Sequence, residues 1–210
     1  MPKGALFAAM DFSPVDAGEF HDWYDTEHLP ERQRVPGFVN GERWIGADNP
    51  NLSVATYDLD DVSVLHGPDY NKIGGANLSP WSKRITAKVT PILRYEGVQI
   101  VPGEAIAPMR AGGLLLVGMT PAADVEADFH RWYDNDHLPA LAAVPGVFCA
   151  RRFRTSGRGP KFIALYHLNA PGVIETPEWQ HASSSTSMPQ HVRDKITDRL
   201  RLVCRQYSRA

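Results

Sequence analysis

Four residues that can move protons or hold ligands recur twice at the same spacing. FHDWYDTEHLP (20–30) carries His21, Tyr24, Asp25 and His28. FHRWYDNDHLP (129–139) carries His130, Tyr133, Asp134 and His137. An imidazole titrates near neutral pH, so His28 or His137 could serve as a general base. Asp25 or Asp134, three residues earlier, could orient that ring, and Tyr24 or Tyr133 could donate a hydrogen bond. On a helix turning about 100° per residue, Asp25 and His28 fall within about 40° of His21, on one broad face. The same spacing admits two other chemistries, a His-x3-Asp-x2-His metal site and haem ligation by one histidine. It also admits no chemistry, since a histidine before Leu-Pro can cap the last carbonyls of a helix.

What positions these residues is a repeat. Aligning Phe20 with Phe129 sets an offset of 109, and eleven of nineteen positions then agree across 20–38 and 129–147. The offset also pairs Arg43 with Arg152, Tyr57 with Tyr166 and Leu59 with Leu168. One offset held over seventy residues reads as a tandem duplication. Residues 1–100 form one copy and 114–210 the other. The Pro/Gly-rich stretch 101–113 belongs to neither and reads as a linker.

Each copy predicts the same elements. Short apolar runs, Ala5–Met10 and Leu114–Met119, predict buried strands. Ser13-Pro14 and Thr120-Pro121 predict helix starts, with proline at the first helical position. The motif helices are expected to end near Leu29 and Leu138, before their prolines. Strands follow at Val39–Ile45 and Leu52–Leu59, and at Phe148–Arg154 and Lys161–Leu168. Second helices at Trp81–Lys88 and Gln190–Leu200 precede last strands at Ile92–Ile100 and Leu202–Tyr207. The fold class is therefore α+β: two ferredoxin-like βαββαβ repeats, each an antiparallel sheet with helices on one face. Two bare sheet faces packed face to face make an intrachain dimeric α/β barrel, with the helices outside.

Composition narrows the function. The chain has 210 residues, 43% hydrophobic, with a net charge of −2. No basic stripe suggests nucleic acid, and no apolar run of membrane-spanning length occurs. The N-terminus lacks the pattern of a signal peptide, and Cys149 and Cys204 sit in apolar segments rather than in a disulfide pattern, so a cytoplasmic location is expected. No Gly-rich phosphate loop or dinucleotide fingerprint is present. A small-molecule ligand is the expected partner, with no nucleic acid and no membrane. The pairing of two halves within the chain leaves open a further homodimer through strand edges.

FHDWYDTEHLPERQRVPGF and FHRWYDNDHLPALAAVPGV resemble the W-Y-x-x-x-H-L-P…V-P-G-F motif of EthD-like proteins, in the dimeric α/β-barrel superfamily. GPDYNKIGGANLSPWSKRI and TPEWQHASSSTSMPQHVRDKI resemble the second-helix segment that follows it. The resemblance implies a cavity between sheet and helices, and the family is linked to catabolism of small organic compounds. Related families include cofactor-independent monooxygenases, cyclases, isomerases and haem enzymes. The family's histidine corresponds to His28 and His137, its Trp-Tyr pair to Trp23-Tyr24 and Trp132-Tyr133. The copies diverge where ERQR becomes ALAA and SPW becomes MPQ.

The resulting expectation is an enzyme using histidine-mediated proton transfer on an apolar or aromatic compound, as a lyase, isomerase, cyclase or monooxygenase-like catalyst. No cofactor is expected and no metal, with haem and metal kept as alternatives. His28, His137, Asp25, Asp134, Tyr24 and Tyr133 would act in catalysis. Phe20, Trp23, Tyr57, Trp81, Phe129, Trp132 and Tyr166 would line the pocket. The alternative is a non-catalytic binding or carrier protein with structural histidines.

Overall fold

In a computed structural model describing residues 1–209, β3 (Leu52–Leu59) and β7 (Phe162–Leu168) are buried along their whole length. Each is covered on both faces, as a strand between a core and a helical layer must be. Around them run β1 (Gly4–Asp11), β2 (Phe38–Gly46), β4 (Thr90–Val101), β5 (Gly113–Pro121), β6 (Val147–Ser156) and β8 (Ile196–Gln206). All ladders are antiparallel, and the strands close into one barrel in the order β1-β3-β2-β8-β5-β7-β6-β4. Each half keeps its own four strands contiguous. The halves join at two seams, Trp44–Gly46 of β2 against Cys204–Gln206 of β8, and β4 against β6. The first seam is only three pairs long and the second leaves residues 90–95 of β4 outside it, so the barrel closes over part of the length of its edge strands.

Alternation along the strands sorts the side chains. One set, including Phe7, Trp44, Val54, Leu116, Phe153 and Leu165, fills the barrel interior. The other set meets the helices and forms a separate core in each half. In the first half the helices are α1 (Ala17–Trp23), α2 (Leu29–Gln33), α3 (Pro68–Asn71) and α4 (Pro80–Thr86). In the second they are α5 (Glu126–Trp132), α6 (Leu138–Ala142), α7 (Pro177–Ser185) and α8 (Gln190–Arg193).

Several sequence-based boundaries shift. Asp16, not Ser13, caps α1, accepting from the Glu19 amide at 2.9 Å. In the second half β5 continues to Pro121, a 3₁₀ turn follows, and α5 begins at Glu126. The motif helices do not stop at Leu29 and Leu138. Tyr24–His28 and Tyr133–His137 are π-helical turns, and the chain continues into α2 and α6. The wider turn gives Pro30 room where a regular α-turn would place the carbonyl of Thr26. The predicted helix Gln190–Leu200 is cut to α8, because Ile196–Leu200 pair with β5 as strand. Residues 102–112 lie against the barrel: the Ala107 amide donates to Asp58 at 2.7 Å, and Ala111 is fully buried. Among the described residues no helix is long and apolar enough to cross a membrane.

Candidate functional site

Each half encloses a cavity between its sheet and helices. The N-terminal one measures about 430 Å³ and the C-terminal one about 300 Å³, both in the range of small-molecule sites. Their walls correspond at the sequence offset of 109. Leu6, Met10, Tyr24, His28, Tyr57 and Tyr70 line the first; Leu115, Met119, Tyr133, His137, Tyr166 and Trp179 line the second. Strands supply the floor, and the π turns supply the tyrosine and the histidine. A π turn is a frequent device for re-aiming functional side chains.

His28 is 8% exposed, lines the cavity and has no hydrogen-bond partner on Nδ1. It packs on Trp23 with ring centroids 4.3 Å apart and does not cap the helix, which runs on past it. Burial, then the charges of Arg32 and Arg43, hold its pKa well below the usual histidine value. The ring is therefore neutral at neutral pH and free to accept a proton. Tyr24 and Tyr57 hydroxyls lie 3.3 Å apart beside it. Burial pushes both phenols up, Tyr57 strongly, so they stay protonated donors.

His137 is arranged differently. Its Nδ1 lies 3.0 Å from the Thr186 hydroxyl, whose own proton goes to the Ala182 carbonyl at 2.7 Å. The imidazole must therefore donate from Nδ1, leaving Nε2 with its lone pair. Burial lowers its pKa to about 4. The Tyr133 and Tyr166 hydroxyls sit 3.4 Å apart, repeating the pair of the first half.

The structure separates the histidines of each motif. The π turn breaks the 100° progression, so His21 and His28 do not share a site. His21 and Asp25 instead meet Arg43 on β2. Its Nη1 donates to Asp25, and its Nη2 lies 3.0 Å from His21 Nδ1. Tyr207 completes the cluster, its hydroxyl donating to Asp25 at 3.0 Å and its ring stacking on His21 at 4.7 Å. Arg152, Asp134 and His130 repeat the arrangement in the second half. Asp25 and Asp134 are thus engaged by arginines and make no hydrogen bond to His28 or His137. Among the described residues no three His, Cys, Asp or Glu side chains cluster as metal ligands.

The expected aromatic lining divides as well. Tyr57 and Tyr166 reach their cavities. Phe20, Trp23, Phe129 and Trp132 face the helix–sheet cores instead, and Trp81 packs against the first core from the surface. Trp23 Nε1 donates to Ser82 Oγ at 3.0 Å, and Ser82 donates to Glu27 at 3.0 Å. Residues not expected from the sequence also belong to the site. Tyr70 and Trp179 take corresponding wall positions. Arg32 lines the first cavity where the offset places Leu141 in the second. The divergence of ERQR from ALAA was the available signal.

No protein-family model and no curated protein matches the chain. Solved structures with the same fold do. An anthrone oxidase-like protein superposes with a TM-score of 0.65 at 10% identity, covering 99% of this chain and 92% of that one. A protein assigned as a monooxygenase from Fusobacterium nucleatum gives 0.62 at 8% identity, over 99% and 93%. A chlorite dismutase variant from Candidatus Nitrospira defluvii gives 0.61 at 12% identity, over 98% and 91%.

These neighbours correct one expectation. Chlorite dismutases are haem-dependent, so the fold gives no ground for expecting a protein without a cofactor. The side chains present decide where a haem could be held. His28 lacks the acceptor that fixes a ligating imidazole, while His137 has one in Thr186, with Nε2 left free. Around His137 lie apolar walls of Leu115, Val117, Leu141 and Ile174, with Arg201 as a cation. The donor chemistry suits an iron ligand at His137, but a haem, with about forty heavy atoms, is larger than a cavity of about 300 Å³, so this cavity as it stands does not enclose one. At these identities the likeness speaks for architecture alone: the chain has the dimeric α/β-barrel fold, with both halves of the barrel supplied by one polypeptide.

Proposed function

We propose that the chain is an enzyme that acts on a small, mostly apolar organic compound, with the N-terminal cavity as its working site and His28 as the proton-transfer group. The reading rests on one observation above the others: His28 is buried, lines a cavity of about 430 Å³ and has no partner on Nδ1. A capping histidine would spend its ring on carbonyls. Tyr24 and Tyr57 would hold an oxygen of the substrate, and the apolar walls would exclude water. The reaction would be a lyase, isomerase, cyclase or monooxygenase-like step. The oxidase-like and monooxygenase neighbours support an enzyme of this barrel class, and the paired walls support an EthD-like ancestor duplicated in tandem. A haem held by His137 would add redox chemistry at its iron.

The test is a panel of hydroxylated aromatic and enolic compounds, followed by mass spectrometry with the wild type, His28→Gln and His137→Gln. The expected result is a variant at His28 that melts like the wild type and binds its substrate, yet turns over about 10²–10⁴-fold more slowly. A His28 variant with unchanged turnover would assign the cavity to binding alone.

A further inference from the structure

The N-terminal cavity contains a buried cation that the chain does not fully use. Arg32 is 5% exposed and lines the cavity. Among the described residues its guanidinium makes one hydrogen bond, from Nη1 to the His28 carbonyl at 2.9 Å. Glu31 approaches the same Nη1 only to 3.7 Å. A guanidinium carries five donors, so Nε and Nη2 are left to whatever enters. Burying a charge without partners is costly, and an anion in the cavity would offset that cost. The other cation on the wall is committed: Arg94 donates to Glu96 at 2.9 Å and to Tyr70 at 3.3 Å. In the second half the corresponding wall position is Leu141, and its cation, Arg201, is exposed.

We infer that the N-terminal cavity takes an organic carboxylate, its acid group against the free edge of Arg32 and its apolar body against Leu6, Met10 and Leu93. The planar fork of an arginine matches a carboxylate in a bidentate pair, and the apolar remainder of the wall favours a hydrocarbon or aromatic body. The inference rests on the reading of this cavity as the ligand site and names the class of molecule it receives. The carboxylate would lie near His28, where its charge favours the protonated ring. The substrate itself would thus strengthen the base that acts on it.

The experiment compares 3-hydroxy-2-naphthoate with 3-hydroxy-2-naphthamide, by calorimetric titration of the full chain at pH 7.5. The expected result is one acid bound per chain, about tenfold or more tighter than the amide. In Arg32→Gln the acid should lose that preference, its binding falling by more than that of the amide, and in Arg32→Lys part of it should return. Equal binding of acid and amide to the wild type would overturn the carboxylate and leave the cavity as a ligand site. A preference that survives in Arg32→Gln would place the acid elsewhere and overturn the assignment to Arg32. Binding of neither probe would overturn both this inference and the cavity reading. The acid–amide comparison on the wild type holds even where a variant fails to fold.

Discussion

Arg43 binds Asp25 across the gap between β2 and the motif helix, and Arg152 binds Asp134 in the same way in the other half. Arg43 also lies over the rings of Tyr24 and Tyr207, at 4.2 and 3.9 Å from their centroids. The aspartate of the repeated motif is therefore an anchor that ties helix to sheet. Arg43→Ala leaves Asp25 to Tyr207 and Arg209 and strips a side chain that is 3% exposed. Since Asp25 itself is 26% exposed, the loss should fall at the low end for a broken buried pair, about 3 kcal/mol in urea unfolding. Asp25→Asn should cost less and change turnover at His28 by no more than about threefold, since the carboxylate does not touch that ring. A collapse of turnover in Asp25→Asn with unchanged stability would restore the aspartate to a catalytic role.

The fold was legible because its signals are periodic. A fixed offset, alternating strands and paired turn residues leave few arrangements, and a closed barrel from two ferredoxin-like halves is one of them. The site was harder to read. Every angle assigned from His21 assumed regular α-helix, and the five-residue π turn at Tyr24–His28 invalidates that assumption at the one place where it mattered. Trp23 and Phe20 looked like pocket walls because aromatics suit both cores and cavities. Only the partner atoms decide between the two, as Ser82 does for Trp23. Arg32 was visible as a difference between the copies, but its burial was not.

Acid should unfold this protein early. Burial, first among the causes, lowers the pKa of His21, His28, His130, His137 and His167 in the folded state. The unfolded chain takes up protons near pH 6.5, where the folded chain does not. Stability from these groups is therefore present above about pH 6.5 and lost as pH falls below it. For His137 the window runs from 6.5 down to about 4. Its half-buried position limits the contribution to about 2 kcal/mol. His137→Gln removes that one proton uptake, so the gap between wild type and variant in urea midpoints should change steadily from pH 7 to pH 4. Parallel curves over that range would show that His137 titrates alike in both states.

Haem uptake, where it occurs, should depend on His137 and not on His28. Both imidazoles line their cavities, but of the two only His137 has its Nδ1 proton fixed on an acceptor. Such a bond on the far ring nitrogen orients the ring and strengthens it as a ligand. Titration of haemin into the purified chain, followed in the Soret region, tests this directly. The His137→Ala variant should lose the ligated spectrum, Thr186→Val should weaken it by about tenfold or more, and His28→Ala should leave it intact. A ligated spectrum that persists without His137 would move the iron ligand elsewhere.

Ser82 is the hinge of a short buried relay. It is fully buried, accepts from Trp23 Nε1 and donates to Glu27, while Ser79 also donates to Glu27 and caps α4 through the Ser82 amide at 2.9 Å. These bonds fix α4, whose last residue Thr86 lines the N-terminal cavity, against the motif helix. Ser82→Ala leaves the indole N–H without a partner in an apolar site, which should cost about 2 kcal/mol. Glu27→Gln keeps an acceptor for Ser79 and Ser82 and should cost less than half as much. Trp23 is one of five tryptophans, and its assigned indole N–H resonance in NMR gives a local readout, because an indole that loses its hydrogen bond shifts that signal. The shift is expected in Ser82→Ala and not in Glu27→Gln. If both variants shift alike, the carboxylate rather than the serine positions the tryptophan, and the relay runs in the opposite order of importance.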